Sequence, residues 1–117
     1  MGRVLQIRVM AYTYDQNEVR KRWPGLSWLA FGKKDETREQ KQGVLELVHV
    51  LEDKYRFAED IDEEIKKEMS SPVEELKSGL LKLDTFLADR RPREADQVTY
   101  ALEDTLDSLE GRISPLL

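Results

Sequence analysis

The sequence predicts a mainly α fold: an antiparallel helical bundle of three long helices and short N-terminal helices, with one N-terminal extended strand or arm. Two observations predict it. From Val44 onward, apolar residues recur at intervals of three and four, as on one face of an α-helix. The connections between these runs are short, which makes consecutive helices antiparallel neighbours. The 117 residues fit a single domain, and a chain of this length can bury a hydrophobic core.

The first element is an extended strand or arm over residues 3–14. Leu5, Ile7, Val9 and Ala11 alternate with other residues and fall on one face of an extended chain. A helix stays open as an alternative, because apolar residues of this segment also fit a helical stripe. A lone strand leaves its backbone N–H and C=O groups without ladder partners, and the nearest equivalent partner is the same strand in a second copy. The segment therefore predicts a homodimer joined partly by these residues.

Two short helices follow the arm and end at about residue 31. Asp15, with Glu18 three residues later, has the spacing of an N-cap for the first helix. Pro24 interrupts this helix and is suited to the first position of a second one, which Gly32 ends.

A charged linker or helix start over residues 33–43 leads into the three long core helices. The first is predicted over 44–69 because its apolar residues keep helical spacing, and whether it runs straight or bends through Asp60 stays open. A Ser-Ser-Pro sequence at 70–72 indicates a stop and a new N-cap, so the second helix is predicted over 72–90. The third runs over 92–112. Whether this bundle closes within one chain or across a dimer stays open.

Composition restricts the chemistry and the location. The chain contains no cysteine, which excludes thiolate metal sites and cysteine nucleophiles and fits a reducing compartment. Its first residues lack the apolar run of a signal peptide, and no stretch approaches the roughly 18 apolar residues of a membrane span. We therefore expect a cytoplasmic protein that does not enter a membrane.

Charge is divided unevenly along the chain, whose net charge is -5. Residues 1–43 contain nine Lys and Arg against five Asp and Glu, a net +4, and the remainder contains ten against nineteen, a net -9. This division predicts electrostatic complementarity within one molecule or between two copies. The overall acidity argues against nucleic acid as a partner, since phosphates would be repelled by most of the surface.

One cluster mixes positive charge with aromatic rings. It consists of Arg20, Lys21, Arg22, Trp23 and Trp28, and it is a candidate surface for an acidic peptide or for stacking single-stranded nucleic acid. The alternative is that its aromatic residues anchor the N-terminal region on the bundle while the basic residues face water.

No residue can be assigned a catalytic, cofactor-binding or metal-binding role. Glu46 and the only histidine, His49, have the spacing of one half of a carboxylate-bridged di-metal site, but a second histidine is missing. The acidic run at 59–64 lacks the glycine and glutamate positions of a calcium-binding loop. Glycine-rich phosphate loops and serine nucleophile motifs do not occur.

We therefore expect a non-enzymatic, self-associating protein-interaction or regulatory module that binds a second copy and, in addition, a protein partner. Two alternatives stay open. One is a nucleic-acid-linked module that uses the basic and aromatic N-terminal region. The other is an enzyme that uses carboxylates and tyrosines in a cavity of the bundle.

Overall fold

The computed structural model describes residues 11, 13, 15–32 and 42–117, and within these ranges every regular element is helical. The elements in chain order are α1 (Gln16–Arg22), α2 (Pro24–Phe31), α3 (Val44–Phe57), α4 (Glu63–Ala88) and α5 (Pro92–Ile113), followed by a 3-10 turn at Ser114–Leu116. The mainly helical class predicted from the sequence is confirmed.

Two predicted segments fall largely outside the described residues. Of the arm over residues 3–14, only Ala11 and Thr13 are described, so the proposed dimer residues Leu5, Ile7 and Val9 stay predictions. The charged linker over 33–43 is described only at its last two residues.

The two short N-terminal helices begin and end where the sequence indicates. The Asp15 carboxylate accepts a hydrogen bond from the Asn17 backbone N–H at 2.9 Å, which caps α1. Pro24 occupies the first position of α2, where its missing N–H has no cost. Gly32 ends α2 with a φ of 71°, a left-handed conformation that glycine adopts without strain.

The predicted boundary between the first two long helices is wrong. α3 ends at Phe57, not at residue 69, and the chain turns over residues 58–62 before the Asp62 side chain caps α4. α4 then continues through the Ser-Ser-Pro sequence at 70–72 without interruption.

Burial explains why α4 passes through Pro72. A proline inside a helix lacks one hydrogen-bond donor and costs about 3 kcal/mol or more. The same turn buries Met69, Pro72 and Val73, and fully burying such a side chain contributes about 1.5–3 kcal/mol. The free energy gained by burying these three side chains therefore exceeds the cost of placing a proline inside the helix.

The corner between α4 and α5 closes as a Schellman motif. Arg91 N–H donates to the Phe86 carbonyl at 2.8 Å, and Arg90 N–H donates to the Leu87 carbonyl at 3.2 Å. Arg90 occupies the left-handed position of this motif, with a φ of 55°, where glycine is the usual residue. The predicted tight corner before Pro92 is confirmed, and α5 then runs one residue beyond its predicted end.

All five helices contribute to one hydrophobic core. α4 and α5 lie side by side in opposite directions, since Glu75 is beside Thr105 and Gly79 is beside Leu102. The core contains the apolar stripes that predicted the helices: Val19, Trp23, Leu26, Ala30, Leu47, Val48, Leu51, Ile65, Met69, Val73, Leu76, Leu83, Ala95, Leu102, Leu106, Leu109 and Ile113.

Large apolar side chains that remain on the surface are scattered over several helices. They are Trp28, Phe57, Leu81, Tyr100, Leu116 and Leu117. Among the helices of the described ranges, none combines the length and the apolar character that crossing a membrane requires.

Leu76→Ala tests the core with a matched control on the same helix. Leu76 is fully enclosed and Leu81 is 62% exposed. We expect Leu76→Ala to lower the free energy of unfolding by about 2–5 kcal/mol, because it leaves a cavity. Leu81→Ala should change it by less than about 0.5 kcal/mol. Urea denaturation followed by circular dichroism measures both, and equal losses would contradict the packing described.

Arg90→Gly tests the strained corner. A non-glycine residue in the left-handed region destabilises the folded state by roughly 1–2 kcal/mol. Glycine avoids this strain, but it also gives the unfolded chain more conformational freedom, which offsets part of the gain in stability. We expect the substitution to raise the free energy of unfolding by about 0.5–1 kcal/mol. Arg90→Ala removes the same side chain but keeps the strain, so it should not stabilise. The two variants having the same stability in urea would exclude backbone strain at this corner.

Candidate protein-binding cleft

An open cleft of about 480 Å³ lies where α1, the first turn of α3, the C-terminal part of α4 and the middle of α5 meet. Its walls are mainly apolar: Ala11, Val19, Trp23, Val44, Leu45, Leu83 and Leu102. Its polar lining residues are Thr13, Asp15, Glu18, Arg22, Thr99 and Glu103. A concave apolar surface with a few polar groups is the usual form of a binding site.

The polar lining of the cleft has a surplus of negative charge. It includes three carboxylates, Asp15, Glu18 and Glu103, and one guanidinium, that of Arg22. Arg22 is already paired, since its Nη1 lies 3.8 Å from the nearer Glu103 oxygen and its Nη2 lies 2.9 Å from Asp107. Such a cleft suits a segment of chain that is apolar on one face and positively charged.

The described chain is attached to the helices at one side of this cleft. The Val44 N–H at the start of α3 donates to the Thr13 hydroxyl at 2.7 Å, which satisfies a donor that has no partner within the helix. Ala11 is partly buried against the core. Ala11 and Thr13 therefore contact the helices before the chain reaches Asp15.

α5 holds the corner between α1 and α2 through the Asp107 carboxylate. Arg22 donates to it from Nε at 3.1 Å and from Nη2 at 2.9 Å, a bidentate pair. The Trp23 indole N–H donates to the same carboxylate at 2.7 Å. The guanidinium also lies 5.1 Å from the Trp23 ring centroid, within the range of a cation–π contact.

These hydrogen bonds shift the titration of both charged partners. Donation by Arg22 is the main cause that lowers the pKa of Asp107, the Trp23 N–H adds to it, and partial burial opposes it. The same hydrogen bond raises the pKa of Arg22. The shifted groups therefore belong to an anchoring contact between helices.

A second carboxylate of α5 satisfies the start of α2. Glu110 accepts the backbone N–H groups of Gly25 at 3.2 Å and Leu26 at 2.9 Å, which are donors in the first turn of the helix. Negative charge at this end also interacts favourably with the helix dipole. Asp107 and Glu110 together place α1 and α2 against α5.

The structure separates the basic and aromatic residues that the sequence grouped. Trp23 is buried, whereas Trp28 is 55% exposed. Arg20 donates from Nε and Nη2 to the Gln42 side chain at 3.2 and 2.9 Å, and Lys21 pairs with Glu18 at 3.5 Å. Only Arg22 and Trp23 line the cleft. Their contacts favour the anchoring role that the sequence left as an alternative.

Sequence reasoning missed the carboxylates that organise this region. Asp107 and Glu110 are three residues apart, so they share one face of α5. The only available signal was that acidic face beside the apolar stripe. A solvated acidic face looks the same in sequence, and the partners of these residues lie 84 or 85 positions away.

The structure does not turn either of the two metal-like sequence patterns, Glu46 with His49 and the acidic run at 59–64, into a cluster of metal ligands within the described residues. His49 is exposed on α3. In the acidic run, Asp62 caps α4, and Glu63 and Glu64 occupy its first turn. Negative side chains at this end of a helix interact favourably with the helix dipole. Within the part of the chain that the structure describes, no three carboxylates or histidines are placed to hold a metal ion.

In comparisons with known proteins, no protein-family model matches this chain, and no curated protein or solved structure is significantly similar to it.

Asp107→Asn tests the corner through its pH dependence. Because folding lowers the Asp107 pKa, its charge stabilises the fold above the ordinary aspartate pKa of about 4 and ceases to do so as pH falls through the lower folded-state value. We expect Asp107→Asn to lower the free energy of unfolding near neutral pH, with a difference that shrinks on acidification. Urea denaturation between pH 7 and 2 would measure it.

The matched control for this experiment is Asp84→Asn, at an exposed position of α4. It removes the same charge from the molecule but touches neither Arg22 nor Trp23. A pH profile for the Asp107 variant that parallels that of the Asp84 variant would show that only net charge matters.

Proposed function

We propose that the protein is a non-enzymatic protein-interaction module that associates with a second copy of itself through residues 3–14. The observation that carries the proposal is the attachment of the described chain at the cleft. Ala11 packs on the core and Thr13 bonds to α3. Every second side chain of an extended chain lies on the same face. Ala11 and Thr13 would share that face with Leu5, Ile7 and Val9, so an extended arm would turn its apolar face toward the helices.

Backbone hydrogen bonding supplies the reason for a second copy. Each described regular element is a helix, and a helix pairs its backbone groups within itself. An extended arm that turned its apolar face toward these helices would leave the N–H and C=O groups of its two edges without backbone partners. Two such edges related by a two-fold axis form an antiparallel ribbon that satisfies them.

Charge complementarity favours the same association. Residues 1–10 contain Arg3 and Arg8 and no acidic residue. The chain after residue 43 has a net charge of -9, from ten basic and nineteen acidic residues. A basic arm beside the acidic helices of a second copy would be attracted to it, and this attraction would accelerate the encounter.

The other two functions have less support from the described residues. A nucleic-acid surface would use Arg20 and Arg22, but both donate hydrogen bonds to groups of this chain. An enzyme in a bundle cavity would need ionisable groups with perturbed pKa values facing substrate. The resolved shifts belong to Arg22 and Asp107, which bond to each other.

The test is the oligomeric state of full-length variants. Ile7→Pro with Arg8→Pro removes one N–H from each edge of the arm, and Ile7→Ala with Arg8→Ala is the control that keeps both donors. We expect the unmodified protein and the alanine variant to have twice the 13.7 kDa chain mass by sedimentation equilibrium, and the proline variant to be monomeric. An unmodified protein that is monomeric at high micromolar concentration would reject the proposal.

A further inference from the structure

We infer that an open groove between α4 and α5 binds the same groove of a second copy, with the two α4 helices antiparallel. The groove holds about 730 Å³. On α5 it is lined by Gln97, Ala101 and Thr105, whereas the cleft is lined by Thr99 and Glu103, which lie on another face of that helix. This contact therefore goes beyond the proposed function, because it uses a surface other than the cleft and residues 3–14.

The α4 side of the groove is open to solvent. Its residues Glu75, Ser78 and Lys82 are exposed, and Gly79 and Phe86 are half-buried. These positions are separated by three, four and seven residues, so they form one stripe along the helix. A second helix can therefore reach them without displacing a core side chain.

Two charged side chains of this stripe have no oppositely charged partner in the part of the chain that the structure describes. Lys82 forms no ion pair there, and Glu75 only accepts a hydrogen bond from the Thr105 hydroxyl at 3.5 Å. Charge pairs within one helix form between residues three or four apart, and these two are seven apart. Each charge is thus free to pair with a second molecule.

The spacing of the two charges selects the partner and its direction. When a two-fold axis relates two helices, residue i of one copy faces residue j of the other, and j faces i. An axis between Ser78 and Gly79 places Glu75 of one copy opposite Lys82 of the other, and it does so twice. A parallel pair would instead place each charge opposite its equivalent, which is unfavourable. The occupant to which we commit is therefore an antiparallel second copy.

Side-chain size fits the same register. The axis places Phe86 of one copy opposite Ser71 of the other, so that a large side chain meets a small one. Near the axis itself, Ser78 and Gly79 face their equivalents, and their small size permits a close approach of the two helices. Charge and shape thus agree on one arrangement.

We expect this contact to be weak. The stripe from Ser71 to Phe86 covers about 22 Å of one helix and is mainly polar, and small polar interfaces are typical of transient association. At micromolar concentration the mass should therefore be set by the pairing through residues 3–14. The groove would join such pairs when the protein is concentrated.

Single-cysteine variants of the full-length chain test the contact, since the protein has no native cysteine. Ser78→Cys lies beside the proposed axis, and a disulfide forms only when two Cα atoms come within about 4.4–6.8 Å. The matched control is Ser70→Cys, at an exposed position of α4 outside the groove. We expect Ser78→Cys to form a disulfide-linked dimer roughly tenfold faster than the control in non-reducing electrophoresis.

An exchange of the two charges separates this contact from general electrostatic attraction. In the Ser78→Cys background, Glu75→Lys places like charges opposite each other and should slow cross-linking about tenfold. It does so even though it reduces the net negative charge that makes two copies repel each other. Adding Lys82→Glu restores the net charge and the opposite pairing, so it should restore the rate. Circular dichroism shows that each reduced variant is folded.

Two results would overturn the inference: equal rates for Ser78→Cys and Ser70→Cys, or an exchanged variant that stays as slow as Glu75→Lys alone. Repeating the measurement with Ile7→Pro and Arg8→Pro separates it from the proposed function. Cross-linking that persists in that variant would uphold the groove contact independently of the arm. A protein that sediments as a dimer but does not cross-link at Ser78→Cys would uphold the pairing through residues 3–14 and reject the groove contact.

Discussion

Two carboxylates of α5, Asp107 and Glu110, determine where the N-terminal part of the described chain lies. α1 and α2 contain seven and eight residues, which is too short for either to be a stable helix by itself in water. Asp107 accepts hydrogen bonds from the last residue of α1 and from Trp23, and Glu110 accepts the first free N–H groups of α2. α1 thereby becomes one wall of the cleft.

Burial supplies most of the stability of this corner, and the carboxylates supply its orientation. The Arg22 and Asp107 side chains are 47% and 44% exposed, and ion pairs of that exposure contribute about 1 kcal/mol or less. Trp23 is 2% exposed and Leu26 is fully buried. Each contributes on the order of 1.5–3 kcal/mol. Asp107 matters because the buried indole N–H would otherwise lack an acceptor.

Periodicity predicted the helices well because burial on one face leaves a repeating pattern in the sequence. The stripe of α5 from Ala95 to Ile113 is in the core, with only Val98 partly exposed. Local signals succeeded where nothing opposed them, as at Asp15 and Pro24. The signal at 70–72 failed because a local pattern does not report the burial of Met69 and Val73. This burial stabilises the continuous helix by more than Pro72 destabilises it.

The candidate site was less accessible to sequence reasoning than the fold. Trp23 could be singled out as aromatic, and the anchoring alternative was already stated for it. Its partner Asp107 is 84 residues away and is one of 24 acidic residues. Pairing across that separation depends on the packing angle between helices, which no single sequence specifies. The cleft itself is a consequence of how four elements meet, so it has no sequence pattern.

The uninterrupted passage of α4 through Pro72 also explains why a cleft exists. α4 has 26 residues and α3 has 14, so at 1.5 Å per residue α4 is about 39 Å long and α3 about 21 Å. α3 therefore cannot cover the whole length of α4 and α5. Near the start of α3 the apolar side chains of Leu83 and Leu102 reach the cleft, and Leu87 beyond them is only partly buried.

The difference in length leaves a recess at the start of α3 but no exposed core, since Leu83 and Leu102, which line the cleft, are only 2% and 4% exposed. The continuity of α4 through Pro72 keeps Met69, Leu76 and Leu83 on one helix, so the core extends without a break on both sides of the proline. The helix that the local pattern failed to predict is thus the element that carries the core from the end of α3 to its start.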